Sequence, residues 1–281
     1  MANQLRRCLV WFLEVWILSD YLFLTKVDEK IENIIYLSQL IPNRQKNDLS
    51  CTCFKVGIYL QKFNSLVWHL IDEIFFSNDD IFINSSDYDI NIGELLVVVP
   101  VYESTKLDKE CVELPKPISR KVDNSPVNER GEIRFKLNET SSSYLGEFPH
   151  IMSTIKGTFL SFDPLIQSAD GIKNKLIFIN IHSKKISKKE PLKFYIAHSK
   201  SKKIIDCYDY YLNSALIIDI DQDSEELCFF SRVSLGIPIF ISYNSNQIIS
   251  VEHTHPPAEM FWEKKFLGQK ILKSNWLERL P

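Results

Sequence analysis

The strongest constraint on this chain is a succession of short β-branched and aromatic runs after residue 132, each closed by turn residues. Ile133-Arg-Phe-Lys-Leu137 alternates strictly, and Lys175-Leu-Ile-Phe-Ile-Asn-Ile181, Leu192-Lys-Phe-Tyr-Ile196 and Ala215-Leu-Ile-Ile-Asp-Ile220 follow. Leu227-Cys-Phe-Phe-Ser-Arg-Val233, Ile237-Pro-Ile-Phe-Ile-Ser-Tyr243 and Ile248-Ile-Ser-Val251 complete the series. Short strands separated by signals such as Asn244-Ser-Asn246 predict a largely antiparallel sheet. Pro238 cannot donate to a ladder, which places it near a strand start or on an edge. Upstream, Cys51 to Tyr59 alternates like a strand, and Leu95-Leu-Val-Val-Val-Pro-Val101 has the composition of a buried one.

Three other segments look helical. Between Lys26 and Ile41, Ile31, Ile34, Ile35, Leu37 and Leu40 approximate an i, i+3, i+4 stripe. Asp28 and Glu29 suit its N-terminal dipole, and Pro42 and Asn43 end it. Phe63 to Phe76 reads as a second helix or a further strand pair. Pro256 and Pro257 open a run from Ala258 to Gly268 whose apolar side carries Phe261, Trp262 and Phe266. From Glu103 to Glu132, prolines, asparagines and charges displace periodicity, as in a long surface loop. The expectation is therefore an α+β protein with an N-terminal part over 1–102, a loop or linker over 103–132, and a sheet-rich part over 133–281 ending in a helix.

With 45% hydrophobic and 25% charged residues in 281 positions, the chain can bury a sizeable core. Eight Gly leave little material for Gly-rich phosphate loops, and neither a Walker loop nor a dinucleotide fingerprint occurs. Cys8, Cys51, Cys53, Cys111, Cys207 and Cys228 show no framework spacing, which fits a reducing compartment. Cys51 and Cys53 would share one face of a strand; structural thiols are the plain reading of the pair and a metal pair the alternative. Arg6 and Arg7 before Cys8-Leu-Val-Trp-Phe-Leu13 superficially resemble a signal sequence. Glu14 and Asp20 interrupt that apolar stretch, which reads instead as core-forming and too polar to span a bilayer.

No Ser or Cys elbow is present; Gly157-Thr-Phe-Leu-Ser161 lacks the nucleophile-turn pattern. His253-Thr-His255-Pro could place two imidazoles on one metal, and a similar element occurs in zinc-dependent isopeptidases. Those enzymes need a Ser and a metal-binding Asp shortly downstream, whereas Ala258, Glu259 and Met260 follow here and no Asp occurs after Asp223. A strand-to-helix turn is the plainer role for these histidines; a metal-dependent hydrolase is the alternative. No catalytic residue, metal or cofactor is assigned.

Charge is more informative. Ten lysines lie between Lys173 and Lys203 against one acid, Glu190. Asp206, Asp209, Asp219, Asp221, Asp223, Glu225 and Glu226 then follow with no cation before Arg232. Lys184, Lys185, Lys188, Lys189, Lys202 and Lys203 are accordingly candidate phosphate contacts, sequence-independent and salt-sensitive. The competing reading is a solvated loop, or edge lysines that discourage aggregation.

Val15-Trp-Ile-Leu-Ser-Asp-Tyr-Leu-Phe23, followed by the segment to Ile41, resembles the opening of the inner-kinetochore centromere protein L family, including its fungal versions. Ile237-Pro-Ile-Phe-Ile241, a turn, Ile248-Ile-Ser-Val251 and Pro256-Pro-Ala-Glu259 are similar to that family's closing strand pair and Pro-containing helix start. Ile205-Asp-Cys-Tyr-Asp209 is similar to a family segment with an aromatic-flanked Cys. The resemblance covers about a quarter of the chain, and His253-Thr-His255 has no place in it. It implies a strongly curved, largely antiparallel sheet with flanking helices and no catalysis. It also implies heterodimerisation with a centromere protein N-type subunit, other inner-kinetochore partners, and a nuclear, centromeric location. On that reading a C-terminal strand edge pairs with the partner, Ile248, Ile249, Val251 and Phe261 supply burial, and the lysines lie near DNA. A generic adaptor subunit of another complex is the remaining alternative.

Overall fold

The computed structural model describes residues 17–18, 20–37, 54–75, 81–118, 120–121, 131–145, 148–154, 157–162, 169–220, 226–253 and 278. Among them strands take up 56% and helical turns 4%, so the expected α+β fold with flanking helices is corrected to a nearly all-β one. The only α-helix among the described residues is a single turn, α1 (His150–Ser153).

A two-residue ladder joins β1 (Ile17–Leu18) to β9 (Arg120–Lys121). Six strands form the largest sheet: β2 (Asp20–Thr25), β4 (Phe54–Leu60), β5 (Trp68–Phe75), β7 (Leu95–Tyr102), β8 (Glu110–Cys111) and β12 (Phe148–Pro149). Their order across it is β12-β2-β7-β4-β5-β8. A second sheet comprises β3 (Glu32–Tyr36), β6 (Phe82–Asn84), β10 (Glu132–Leu137) and β11 (Thr140–Leu145), in the order β11-β10-β3-β6. A third comprises β13 (Phe159–Phe162), β15 (Leu192–His198), β16 (Ile204–Tyr210) and β18 (Leu227–Ser231), in the order β13-β18-β15-β16. The fourth comprises β14 (Lys173–Asn180), β17 (Ser214–Ile220), β19 (Ile237–Tyr243) and β20 (Ile248–His253), in the order β17-β14-β19-β20.

The segment after Lys26 shows why a helical stripe gave way to a strand. Its true period is two: Ile31, Asn33, Ile35 and Leu37 are buried and the residues between them are not. Asn33 hides the alternation because it is polar, yet both of its side-chain polar atoms have partners. Its Oδ1 accepts from Thr25 N at 3.0 Å, its Nδ2 donates to the Arg134 carbonyl at 3.2 Å, and its N–H donates to Ser85 Oγ at 3.1 Å. Asp28 starts no helix; its carboxylate accepts from the N–H groups of Lys30 at 2.7 Å and Ile31 at 2.9 Å and closes a turn. Pairing of β3 with both β10 and β6 then fixes the strand. Within Phe63 to Phe76, Trp68–Phe75 form the single strand β5, and the expected C-terminal helix at 258–268 lies outside the described residues.

The continuous apolar runs reflect burial on two faces. In β14, Ile177 and Ile179 join one apolar cluster while Leu176 and Phe178 join another, so alternate side chains serve opposite layers. The first cluster unites the six-stranded sheet (Leu22, Ile58, Val98), the β3–β10 sheet (Ile35, Ile133, Phe135) and the β14–β19 sheet (Ile239, Ile241). It therefore draws on residues from both sides of the 103–132 segment. Within that segment Leu114 and Ile118 are buried, and their N–H groups donate to the Ser183 and Pro100 carbonyls, each at 2.9 Å. The second cluster is aromatic: the Phe178 ring lies 4.8 Å from those of Phe159 and Phe194 and 5.5 Å edge-on from Tyr210.

Candidate interaction surfaces

The segregated charges of the sequence are interleaved by antiparallel pairing. The register of β14 with β17 sets Lys175 opposite Asp219, and their side chains meet at 2.6 Å. That of β15 with β16 sets Lys193 opposite Asp209, again at 2.6 Å. Lys188 meets Glu190 at 2.5 Å, Lys184 meets Glu113 at 3.4 Å, and Lys200 pairs with Glu226.

The six candidate phosphate-binding lysines fall into two groups at opposite ends of β15. Lys184, Lys185, Lys188 and Lys189 precede it, whereas Lys202 and Lys203 follow it in the turn to β16. A seven-residue strand separates the groups by about 20 Å, at roughly 3.3 Å per residue. Lys185, Lys188 and Lys203 are exposed, and Lys202 adopts a left-handed φ of 59° in its turn. Lys189 is half-buried, and its Nζ donates to the Lys62 carbonyl at 2.9 Å. Burial pulls its pKa down to about 8, although the Glu94 carboxylate opposes the shift.

The C-terminal edge strand β20 ends its sheet: it has a ladder on one side and a packed neighbour without a ladder on the other, among the described residues. Ile248 and Val251 are buried in the first cluster, and Ile249 is half-buried. β20 pairs with β19 on one side and lies along β11 on the other. There Ile248 N donates to Thr140 Oγ1 at 2.9 Å, and Asn138 Nδ2 donates to the Asn246 carbonyl at 3.0 Å. The His253 ring packs against Tyr144 with 4.2 Å between centroids. His255 and Phe261 lie outside the described residues. Among those residues, no group of three or more His, Cys, Asp or Glu side chains is placed to hold a metal ion. Cys111 and Cys207 are free thiols and Cys228 is buried; burial first, then Asp108, pushes the Cys111 thiol up to about 11.

A different edge is open. β8 pairs with β5 only at Trp68 and His69, and Leu70 N donates to the Lys109 carbonyl at 2.9 Å. Beyond that point no strand covers the outer side of Ile71–Phe75 among the described residues. Ile71 and Phe75 are 46% and 54% exposed there, large values for such apolar groups. Acids surround them. Asp72 Oδ2 accepts from Tyr88 Oη at 3.2 Å, Lys55 Nζ meets Glu73 at 2.7 Å, and Asp87 and Asp89 are exposed nearby in sequence to Tyr88. Burial, Asp72 and Asp87 together push the Tyr88 hydroxyl upward in pKa. Sequence reasoning missed this edge because of a β-bulge: Ile58 pairs with Asp72 but Tyr59 with Leu70, so Ile71 is extra. The alternation that would have identified a strand is broken at that residue.

The polar network around Ser153 is structural in its bonding. Ser153 Oγ lies 2.7 Å from both the His150 carbonyl and Ser183 Oγ. With one proton, it donates to the carbonyl and accepts from Ser183. Tyr21 Oη lies 3.1 Å from the Pro115 carbonyl and from His150 Nδ1. The carbonyl can only accept, so Tyr21 donates to it and the imidazole carries its proton on Nδ1. Burial, then Lys116 and Lys184, lowers the His150 pKa and keeps the ring neutral. The network ties α1 to β2 and to the loop after β14. No protein-family model matches the chain, and no curated protein shows a significant match to it.

Proposed function

We propose that this chain is a non-enzymatic scaffold subunit that binds partner proteins through sheet edges. The observation that carries the reading is the uncovered edge of β5 with its exposed Ile71 and Phe75, a cost to an isolated protein that a partner strand would remove. The complex to which the sequence resemblance points is the inner kinetochore, with a centromere protein N-type subunit as partner and centromeric chromatin as location. The β19–β20 hairpin supports that assignment, since it stands where the family's closing strand pair is expected. Of the helices expected with it, the one after Lys26 is replaced by β3 and the one at 258–268 lies outside the described residues, so the assignment rests on the quoted strand segments. Affinity purification of the tagged chain with mass spectrometry tests it. Recovery of inner-kinetochore subunits and centromeric foci is the expected result. Diffuse or secretory staining with no such subunits would overturn the kinetochore assignment, and recovery of no stoichiometric partner would overturn the scaffold reading itself.

A further inference from the structure

We infer that the edge of β5 from Ile71 to Phe75 takes a basic, extended segment of a partner protein as an added strand of the six-stranded sheet. The inference rests on the scaffold reading and specifies its contact. Three features of the edge define the occupant. Its outer main-chain groups meet no strand among the described residues beyond Leu70, so backbone pairing can extend across five residues. Ile71 and Phe75 present apolar surface at the two ends of that stretch. Between them lie Asp72 and Glu73, with Asp87 joining Asp72 in its effect on Tyr88.

Charge decides between a second copy and a different partner. Antiparallel self-pairing centred on the open stretch sets Asp72 opposite Asp72, Asp72 opposite Glu73, or Glu73 opposite Glu73. Each of these registers places like charges directly across the ladder, which is destabilising. The same acids favour Lys or Arg on an incoming strand. Glu73 already holds Lys55 at 2.7 Å, whereas Asp72 has the Tyr88 hydroxyl and the Glu73 N–H as partners and no cation within ion-pair distance among the described residues. Asp72 is thus the principal electrostatic anchor. Lys55 also stands 5.4 Å from the Phe75 ring centroid, which holds one face of that ring and leaves its outer margin for an apolar side chain of the partner.

The probe is a synthetic fluorescent peptide of alternating Lys and Val, titrated against the full chain and followed by anisotropy. Controls are a Glu–Val peptide and a Lys–Val peptide with a central Pro, which cannot complete a ladder. Amide hydrogen exchange locates the binding site. Expected results are saturable binding of the Lys–Val peptide alone and slowed exchange at Ile71–Phe75. The double variant Asp72→Lys/Phe75→Lys changes exposed side chains, and its far-UV spectrum and melting temperature verify folding. It should bind about tenfold more weakly, from a reversed cross-strand charge and the removal of an apolar anchor. No binding, equal binding of the Pro peptide, equal binding by the double variant, or protection confined to another strand would each overturn the inference. Purification of the double variant separates the two levels: if it no longer binds the peptide yet keeps every cellular partner, this edge is refuted and the scaffold reading stands.

Discussion

The packing of the β3–β10 sheet on the six-stranded sheet can be tested at one place, between Gly131 and Leu22. A Cβ built on Gly131 would fall 2.4 Å from Leu22 Cδ2 and 3.1 Å from its Cδ1. Ordinary carbon contacts lie at about 3.5–4.0 Å, so an alanine is about an ångström too close. Leu22 is 1% exposed, so its side chain must shift within a packed interior to admit the methyl. Gly131→Ala should therefore cost about 1–3 kcal/mol by overpacking, partly offset by about 0.4–1 kcal/mol from a stiffer unfolded chain. Leu22→Ala alone should cost about 2–5 kcal/mol through forfeited transfer energy and a cavity. The three heavy atoms nearest the new methyl all belong to the Leu22 side chain, so in the Leu22→Ala background the closest clashes are gone. The second substitution should then be neutral or stabilising, which gives a coupling of about 1–3 kcal/mol in favour of the double variant. Urea unfolding of all four proteins, with slopes checked for constancy, supplies the cycle. Additivity within about 0.5 kcal/mol would refute the placement of β10's entry over β2.

Phe178→Ala should destabilise by about 3–5 kcal/mol, because a fully buried ring with three aromatic neighbours is removed; a urea midpoint near wild type would contradict the aromatic layer. His150 gives a pH prediction. Its folded pKa lies below the ordinary value of 6.5, so the unfolded chain binds the extra proton first as the pH falls. Stability should be complete above about pH 6.5 and decline below it until the folded-state pKa is passed. His150→Asn keeps an N–H donor for Tyr21 and should flatten that limb, measured as melting temperature against pH. Replacing Lys184, Lys185, Lys188 and Lys189 with Glu should weaken any DNA retention without unfolding the chain. In the unmodified protein the dependence of log affinity on log salt should be shallow, about −1 to −3, because the Lys189 Nζ is bonded to the Lys62 carbonyl and Lys184 and Lys188 have acidic partners. A slope steeper than about −5 in a salt titration would show that these pairs open on DNA.

The strands after residue 132 are legible because each carries enough β-branched and aromatic residues to dominate its window, and β10, β14, β15, β17, β18, β19 and β20 form there. The apparent helices mislead for a physical reason that differs at each place. At β3 a buried, hydrogen-bonded Asn33 breaks the apolar alternation, and Ile34 and Ile35 side by side imitate a helical stripe. At β5 the bulge at Ile71 shifts the pattern by one residue. β16 escapes notice because it is an edge strand with exposed Asp206 and Asp209 and little burial to enforce periodicity. The open β5 edge is invisible for a further reason: it depends on β8 being only two residues long, and the extent of pairing between distant segments is not encoded in either segment alone.

The charge runs show the same principle at work on function. In the linear chain, ten lysines followed by seven acids suggest a basic patch beside an acidic one. Antiparallel strands reverse direction, so the two runs pair in nested order, the later lysine with the earlier acid and the earlier lysine with the later acid. Lys193 in β15 thus meets Asp209 in β16, and Lys175 in β14 meets Asp219 in β17. Segregation along the sequence is what allows pairing across the ladder; had signs alternated locally, the same registers would have opposed like charges as often as unlike. The β5 edge is the converse case. Its acids belong to no long run, yet Asp72 and Glu73 stand together where pairing stops, with Lys55 as the one cation bound to them among the described residues. Binding potential in this chain therefore sits where the ladders end with charge left over, and composition windows cannot find such places because they average over the strands that neutralise them.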